Sequence, residues 1–204
     1  AASDNNFDGV ADQTVTASTT DDDVAGFTIV EPEGSTEVEE SGDTDTCTVR
    51  RDAQPKSDDV ITILSSDTGE ATVTSTLTFT PANWDTPQIA TITGIDDDII
   101  DGSQTSTITV SVDDANSDDD FDGVADQTVS VSTTDDDVAG FTVAETEGST
   151  GVDESGTTDT ITVVLNAQPD SDVVLSTTSS DAGEATVTST LTFTSANWDT
   201  AQTV

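Results

Sequence analysis

The stretch ATVTSTLTFT, residues 71–80, decides the fold class of this chain. Apolar residues alternate with polar ones along it: Ala71, Val73, Leu77 and Phe79. In an extended chain, alternate side chains point to opposite faces, so these four fall on one side. Threonine, which fills most of the other positions, also favours strands. The pattern predicts β-structure with one face buried and a threonine-rich face in water.

The same period of two recurs in other short segments of the sequence. They are QTVTAST (13–19), STITVSV (106–112), QTVSVST (127–133) and DTITVVL (159–165). No segment keeps a helical period over three turns, and turn-forming residues separate the alternating ones. Short alternating strands with turns between them predict an all-β fold, an antiparallel, Ig-like β-sandwich.

Long identical stretches recur at one fixed spacing. FDGVADQTV is found at 7–15 and 121–129, and NWDT at 83–86 and 197–200; the offset is 114 in both cases. A period of that length suits one domain per repeat. We expect tandem sandwiches: the tail of one unit at 1–23, a complete unit at 24–137 and the front part of the next at 138–204.

The charge of the chain restricts its partners. Its 204 residues include 43 Asp and Glu but only 3 Lys and Arg, for a formal net charge of -40. Such a surface repels nucleic acids and anionic membranes and attracts cations. Disorder is the alternative interpretation of so acidic a chain, but the regular apolar period argues against it. No apolar run approaches the ~20 residues that cross a membrane.

The residue types present do not favour catalysis. There is no His, no Tyr and a single Lys, so most acid–base and nucleophile pairs are missing. Paired carboxylates could act on glycosides, but among so many no pair stands out. We therefore expect a protein that is not an enzyme. The single cysteine, Cys47, aligns with Ile161 of the next unit, which favours a core position over an intermolecular disulfide.

Asp triplets occur in two motifs near strand ends. DDDVAGFT is found twice, at 21–28 and 135–142, and GIDDDIIDG once, at 94–102. Loops from different strands gather at one end of a sandwich, so the triplets at 96–98 and 135–137 could converge. Calcium takes six to eight oxygen ligands from such flexible acidic sets. The alternative interpretation is that the two triplets form separate acidic turns, each exposed to water, and do not bind a metal together.

These motifs resemble those of the Calx-beta family. The resemblance rests on TTDDDVAGFTIVE (19–31), GIDDDIIDG and the SSDTGEA turn at 65–71. Calx-beta domains are antiparallel β-sandwiches of sodium–calcium exchangers and of large bacterial surface proteins, with calcium at one tip near the next domain. Asp101 stands where the exchanger domain has Glu, and the turn register at Asp67 differs from the family's.

The resemblance implies a set of calcium ligands. In the complete unit they are Glu31, Asp67, Asp96, Asp97, Asp101, Asp135, Asp136 and Asp137. Asp98 is a further candidate because it belongs to the triplet that could converge with 135–137. The equivalent positions in the flanking units are Asp21, Asp22, Asp23, Glu145 and Asp181.

A second calcium motif, D-x-[DN]-x-D-G, lies outside the family core. One copy comprises Asp118, Asp120, Asp122, Val124 and Asp126, and the other Asp4, Asn6, Asp8, Val10 and Asp12. The valines would ligate through their backbone carbonyls, as position 7 of an EF-hand loop does. Val129 stands where an EF-hand has Glu, and no helix flanks the loop. We therefore expect a calcium-binding loop between two strands. Together with the first site, this gives several Ca²⁺ ions per unit. The alternative is an Asp/Gly turn that joins two strands and binds no metal.

Together these patterns predict an extracellular or cell-surface structural or adhesive protein. Calcium at each junction would stiffen a rod of units, with the millimolar-range affinity usual for extracellular modules. The expected partners are calcium ions and neighbouring repeats or identical subunits, stacked end to end. Either one long chain runs through the rod, or segment 13–19 of one subunit adds a strand to 138–204 of the next. The alternatives are a calcium-sensing regulatory module and an acidic spacer of a mineral-, ice- or glycan-binding adhesin.

Overall fold

The computed structural model describes residues 4–32, 34–187 and 190–204, and its regular structure is almost entirely β-strand. The strands are β1 (Phe27–Val30), β2 (Thr36–Glu39), β3 (Thr44–Arg51), β4 (Asp59–Ser65), β5 (Ala71–Val73), β6 (Thr76–Phe79), β7 (Gln88–Gly94), β8 (Gln104–Val112), β9 (Gln127–Thr134), β10 (Phe141–Glu145), β11 (Ile161–Leu165), β12 (Val173–Ser176), β13 (Thr190–Phe193) and β14 (Gln202–Thr203). Three short 3-10 helices span Asn5–Phe7, Asp119–Phe121 and Thr146–Gly148. Within the described part of the chain, no helix is long or hydrophobic enough to span a membrane. The predicted all-β class is confirmed.

The first unit is a sandwich of two sheets. One has the order β1-β3-β7-β5 and the other the order β2-β9-β8-β4-β6. Every pair is antiparallel except β2 and β9, which run parallel with Thr36 opposite Val131. The predicted antiparallel sandwich is therefore confirmed, except that one of its strand pairs, β2 with β9, is parallel. That parallel pair positions the candidate site.

Alternating residues of both sheets form the core. Its members include Val38, Cys47, Val49, Ile61, Ile63, Phe79, Ile92, Ile108, Val110 and Val131. Cys47 is fully buried opposite Ala90, which is the core position that its alignment with an isoleucine predicts.

The stretch at 71–80 forms two strands, not one. β5 pairs with β7 in the first sheet, whereas β6 pairs with β4 in the second. Between them the backbone N–H of Thr74 donates to Thr91 in one sheet (2.9 Å), and Ser75 accepts from Ile63 in the other (2.9 Å). The chain crosses the core here, so apolar residues of both halves point into the same interior. The alternation predicted burial correctly but could not show the change of sheet.

The predicted strand at 13–19 is absent, which corrects that expectation. Its counterpart in the first unit, β9, is hydrogen-bonded between β2 and β8. Segment 13–19 has no such neighbours in the structure and is exposed throughout, and a lone strand leaves its backbone groups unpaired. The first three residues of the proposed 1–23 tail lie outside the described residues.

The second unit, residues 138–204, has two smaller sheets. β10, β11 and β14 make one sheet, and β12 and β13 make the other. Val163, Leu165, Leu191 and Phe193 form its small core. It meets the first unit where Gln168 donates its backbone N–H to the carbonyl of Asp98 (2.7 Å), beside a bridge between Ile99 and Gln168.

Candidate metal centre

Three carboxylates gather at the end of the first sandwich that faces the second unit. Glu40, Asp135 and Asp137 each place one carboxylate oxygen within 4.8 Å of the other two. The parallel pair explains this meeting, because β2 and β9 end side by side with Glu39 opposite Thr134. The next residues along the two strands, Glu40 and Asp135, are therefore neighbours. The backbone N–H of Glu40 donates to the Thr134 carbonyl (3.2 Å) and fixes this register.

Glu40 is the most deeply buried member of the group, with 1% of its surface exposed. A glycine allows this, since a Cβ on Gly94 would lie 2.0 Å from the carbonyl oxygen of Glu39. β7 therefore passes directly against the end of β2 and covers it.

Several carboxylate oxygens in this region are buried without a hydrogen-bond partner. They are Glu40 Oε2, Glu70 Oε2 and Asp137 Oδ2. A buried charge without a partner is costly, and proteins tolerate it where a cation pairs with it.

The pKa values of these groups report the crowding of negative charge. Burial, followed by repulsion from Asp97 and Asp135, raises the pKa of Glu40 from 4.5 to about 7. Burial and then Asp101 raise the pKa of Glu70. Glu70 and Asp101 also act on Glu40, so all five carboxylates share one electrostatic environment.

Asp137 extends this environment toward the second unit. Burial raises its pKa, and Asp98, Asp135 and Asp136 add to the effect. Asp137 directly precedes the segment that leads into β10. The acidic group therefore lies at the junction of the two units.

Backbone hydrogen bonds hold the acidic loops in place. The N–H of Gly102 donates to Asp135 Oδ2 (2.7 Å), and that of Asp137 donates to Asp135 Oδ1 (2.8 Å). Asp97 Oδ1 accepts from the N–H of Ile99 (2.7 Å). Asp135 thus ties the loop after β7 to the segment after β9, which brings the two triplets together.

Of the predicted ligands, the structure brings Asp135 and Asp137 together with Glu40. Others lie close enough to raise the pKa of Glu40, Glu70 or Asp137; they are Asp67, Asp97, Asp98, Asp101 and Asp136. Asp96 belongs to the same loop and is exposed. Glu31 lies elsewhere, at the end of β1, where it accepts a hydrogen bond from Thr36 Oγ1 (2.9 Å). The glutamate beside Asp135 is Glu40.

Sequence reasoning missed Glu40 and Glu70. A signal for both was present, because E-S-G recurs at 40–42 and 154–156, and G-E-A at 69–71 and 183–185. The second-unit counterparts, Glu154 and Glu184, line one cavity with Asp153 and Asp159. Asp181 accepts the N–H of Gly183 (2.9 Å), as Asp67 accepts that of Gly69 (2.9 Å). Glu145 is exposed at the end of β10.

The D-x-D-x-D-G loop at 118–126 is bound to the protein through its own acidic residues. Asp118 caps the short helix by accepting the N–H of Asp120 (3.1 Å), and it also accepts the backbone N–H groups of Lys56 and Ser57. These hydrogen bonds lower its pKa. The Lys56 ammonium pairs with Asp120.

Apolar residues of this loop face inward. Phe121 is buried with its ring centroid 4.6 Å from the Arg51 guanidinium carbon, and Val124 packs on the core. Asp122 and Asp126 remain exposed. In the described ranges one set of three acidic residues has converging oxygens: Glu40, Asp135 and Asp137, called the Glu40 group below. The calcium loop at 118–126 stays a prediction.

The other predicted acidic segments lie on the surface. Asp4 caps its short helix by accepting the N–H of Asn6 (2.9 Å), and Asp8, Val10 and Asp12 are exposed. Asp21, Asp22 and Asp23 are exposed as well, with Asp21 accepting the N–H of Asp23 (3.1 Å).

Comparison with known proteins gives distant structural neighbours. No protein-family model and no curated protein matches the sequence. The apo-form Calx CBD1 domain is 18% identical with a TM-score of 0.41, over 56% of this chain and 99% of that domain. CBD12 from CALX1.2 is 18% identical with a TM-score of 0.39, over 88% of this chain and 73% of the other. Domains 1–6 of the surface layer protein SbsC are 13% identical with a TM-score of 0.40, over 89% of this chain and 23% of that protein. Similarity this low carries no function, so the case for a metal depends on the carboxylates themselves.

Proposed function

We propose that the chain is a calcium-binding β-sandwich module whose metal site is the Glu40 group. The observation that carries the proposal is the buried, unpaired carboxylate oxygen of Glu40 beside Asp135 and Asp137. A cation at this position would neutralise charges that otherwise raise the pKa values of Glu40, Glu70 and Asp137.

The donor set fits calcium. Every side-chain ligand available in the group is a carboxylate oxygen, and the chain has no His, while its Cys47 is in the core. Metals that prefer nitrogen or sulfur are therefore disfavoured. Glu40, Glu70, Asp97, Asp101, Asp135 and Asp137 would hold the ion. Carboxylates drawn from several loops suit the variable coordination of calcium better than the strict octahedron of magnesium.

The position of the site supports a structural role. Asp98 contacts the second unit through its carbonyl, and Asp135 and Asp137 lie in the segment leading to β10. Calcium there would bind the loop after β7 to the connection between units and reduce bending at the junction. We infer a calcium-stiffened rod of units, extracellular or at a cell surface, whose copies associate end to end.

Calcium titration of the whole chain tests the proposal. A ligand that binds only the folded state stabilises it by RT ln(1 + [L]/Kd), about 2.7 kcal/mol at a hundred times Kd. We expect a higher melting temperature in millimolar calcium than in EDTA, and a smaller effect of magnesium. Small-angle scattering should show a narrower distribution of distances between units with calcium. Equal melting curves with and without calcium would refute the metal site, and an unchanged distribution would refute the stiffening.

A further inference from the structure

A few polar side chains are buried in the first unit, and most of them have a partner inside the protein. The partners are hydrogen-bonding groups or the opposite charge of an ion pair, and the partnered residues are Thr36, Asp118, Arg51 and Asp59. The remaining buried polar residues of the described chain are Glu40, Ser106 and Thr133. Each leaves a buried oxygen without a hydrogen-bond partner: Glu40 Oε2, Ser106 Oγ and Thr133 Oγ1. Such an oxygen is costly, because burial removes its hydrogen bonds to water.

The strand register places Thr133 beside Glu40. On the inner face of the second sheet, Thr133 lies opposite Val38, and Glu40 is the next inward-facing residue after Val38. The two residues are therefore one strand and two positions apart, about 8 Å between Cα atoms in a regular sheet. A glutamate and a threonine side chain together bridge this separation with a hydrogen bond between them. The Thr133 hydroxyl is thus an unused donor next to an unused acceptor.

Ser106 has the same burial but lies farther from the metal site. It is opposite Val131, which in turn is opposite Thr36. Ser106 is therefore two strands and four positions from Glu40, about 16 Å between Cα atoms in a regular sheet. Its hydroxyl is a natural control for that of Thr133.

A threonine is not what the core alone would favour at position 133. The two preceding inward-facing residues of β9 are Val129 and Val131, so a third valine would continue the apolar face. The copy of this segment at 13–19 has Ala17 where β9 has Val131, yet Thr19 matches Thr133. The threonine is thus retained in both copies while its apolar neighbour changes.

We propose that Thr133 is a positioning residue of the metal site, whose hydroxyl donates to one carboxylate oxygen of Glu40 while the other oxygen ligates calcium. The inference rests on the proposed function. Hydrogen bonds to a ligating carboxylate fix its orientation, and their loss typically weakens metal binding about 10–100-fold. Threonine supplies the donor without a positive charge, so it does not repel the cation as a lysine would.

Thr133→Val tests the role of the hydroxyl, because valine keeps the β-branched shape and cannot donate. In calorimetric titration of the full chain, we expect the calcium Kd to rise about tenfold or more. The melting temperature in EDTA should rise as well, since the substitution removes a buried hydroxyl that has no partner. A residue that only supports the fold would instead lower the melting temperature in EDTA. Thr133→Ser keeps the hydroxyl and should retain the wild-type Kd.

Ser106→Ala is the matched control. It also removes a buried, unpartnered hydroxyl from the inner face of the same sheet, so the melting temperature in EDTA should again rise. The calcium Kd should stay at the wild-type value. An equal loss of affinity in Ser106→Ala and Thr133→Val would show a general effect of core polarity and overturn the proposal.

A double-mutant cycle tests whether Thr133 acts through Glu40. With Glu40→Gln already present, Thr133→Val should change the calcium Kd much less than it does in the wild type, because both substitutions affect one ligand. Additive effects, or an unchanged Kd in Thr133→Val while the wild type binds calcium, would refute this inference and leave the metal site standing. A wild-type chain that binds no calcium would refute the proposed function and this inference together.

Discussion

Glu40 is the residue on which the metal site most depends, because it combines deep burial with four acidic neighbours. Glutamine has nearly the same shape but carries no charge. Comparing the two side chains therefore separates the cost of the buried charge from its use as a ligand.

Glu40→Gln should stabilise the metal-free protein and weaken calcium binding. The substitution removes a charge that burial and four acidic neighbours disfavour, so the melting temperature in EDTA should rise. It also removes a ligand, and we expect calcium affinity to fall by about tenfold or more. Glu39→Gln, on the exposed face of β2, is the matched control. Unchanged affinity in the Glu40 variant, measured by calorimetry, would exclude Glu40 as a ligand.

The stability of the metal-free protein should fall as pH rises from about 4.5 to about 7 because of Glu40. Its pKa is about 7 in the folded state against an ordinary 4.5, so the folded state keeps a proton that the unfolded state has lost. Stability decreases with pH wherever the folded state binds more protons. Urea unfolding in EDTA across this range, for the wild type and Glu40→Gln, isolates the contribution by difference. Calcium must displace the same proton, so its affinity should rise between pH 6 and 8. Parallel pH profiles for the two proteins would contradict this account.

At the scale of elements, the Arg51–Asp59 ion pair joins the two sheets. Arg51 ends β3 in one sheet, Asp59 begins β4 in the other, and both side chains are fully buried. The guanidinium carbon also lies 5.7 Å from the Phe27 ring centroid and 6.0 Å from that of Phe79. The second unit has Leu165 and Val173 at these positions.

Replacing both residues of the ion pair by apolar residues should cost little stability, whereas replacing only one should cost much. Arg51→Leu leaves Asp59 buried without its partner, and such changes cost about 3–5 kcal/mol. Arg51→Leu with Asp59→Val reproduces the apolar pair of the second unit and should recover most of that loss. Urea denaturation of the single and double variants gives the coupling energy. Additive effects of the two substitutions would show that the pair is not a unit.

Sequence patterns predicted these elements better than their connections. Leu77, Phe79 and Val110 could be assigned to the core because their alternation matches the strand period. The change of sheet between Val73 and Thr76 leaves the period intact, so the alternation could not reveal it.

The residues of the candidate site could be predicted only in part, and the reason for the incomplete prediction is related. Asp135 and Asp137 stand in a conspicuous triplet, whereas Glu40 resembles any glutamate after a short strand. It becomes a site residue through the parallel pairing of β2 with β9, a long-range contact that local sequence does not encode.

At the scale of the whole molecule, the net charge of -40 opposes compactness. The melting temperature in EDTA should therefore rise with sodium chloride, because the Debye length falls from about 10 Å at 0.1 M to about 3 Å at 1 M. The stabilisation by calcium should shrink over the same range. Choline chloride at equal concentration is the control, since screening does not depend on the identity of the cation. A melting temperature independent of salt would show that the charges are already compensated.

Lys56 makes the folded chain a single-cut substrate for trypsin. The chain has 3 basic residues; Arg50 lies within β3 and Arg51 is buried, while Lys56 is in an exposed loop. A protease must draw the chain around the scissile bond into its cleft, yet Asp118 holds the backbone N–H groups of Lys56 and Ser57. Cleavage between them therefore requires loop 118–126 to lift, and its rate measures how often the loop opens. Asp118→Asn should accelerate the appearance of fragments 1–56 and 57–204, whereas Asp126→Asn should not. Limited digestion followed by mass spectrometry thus times a local opening that leaves the rest of the sandwich intact.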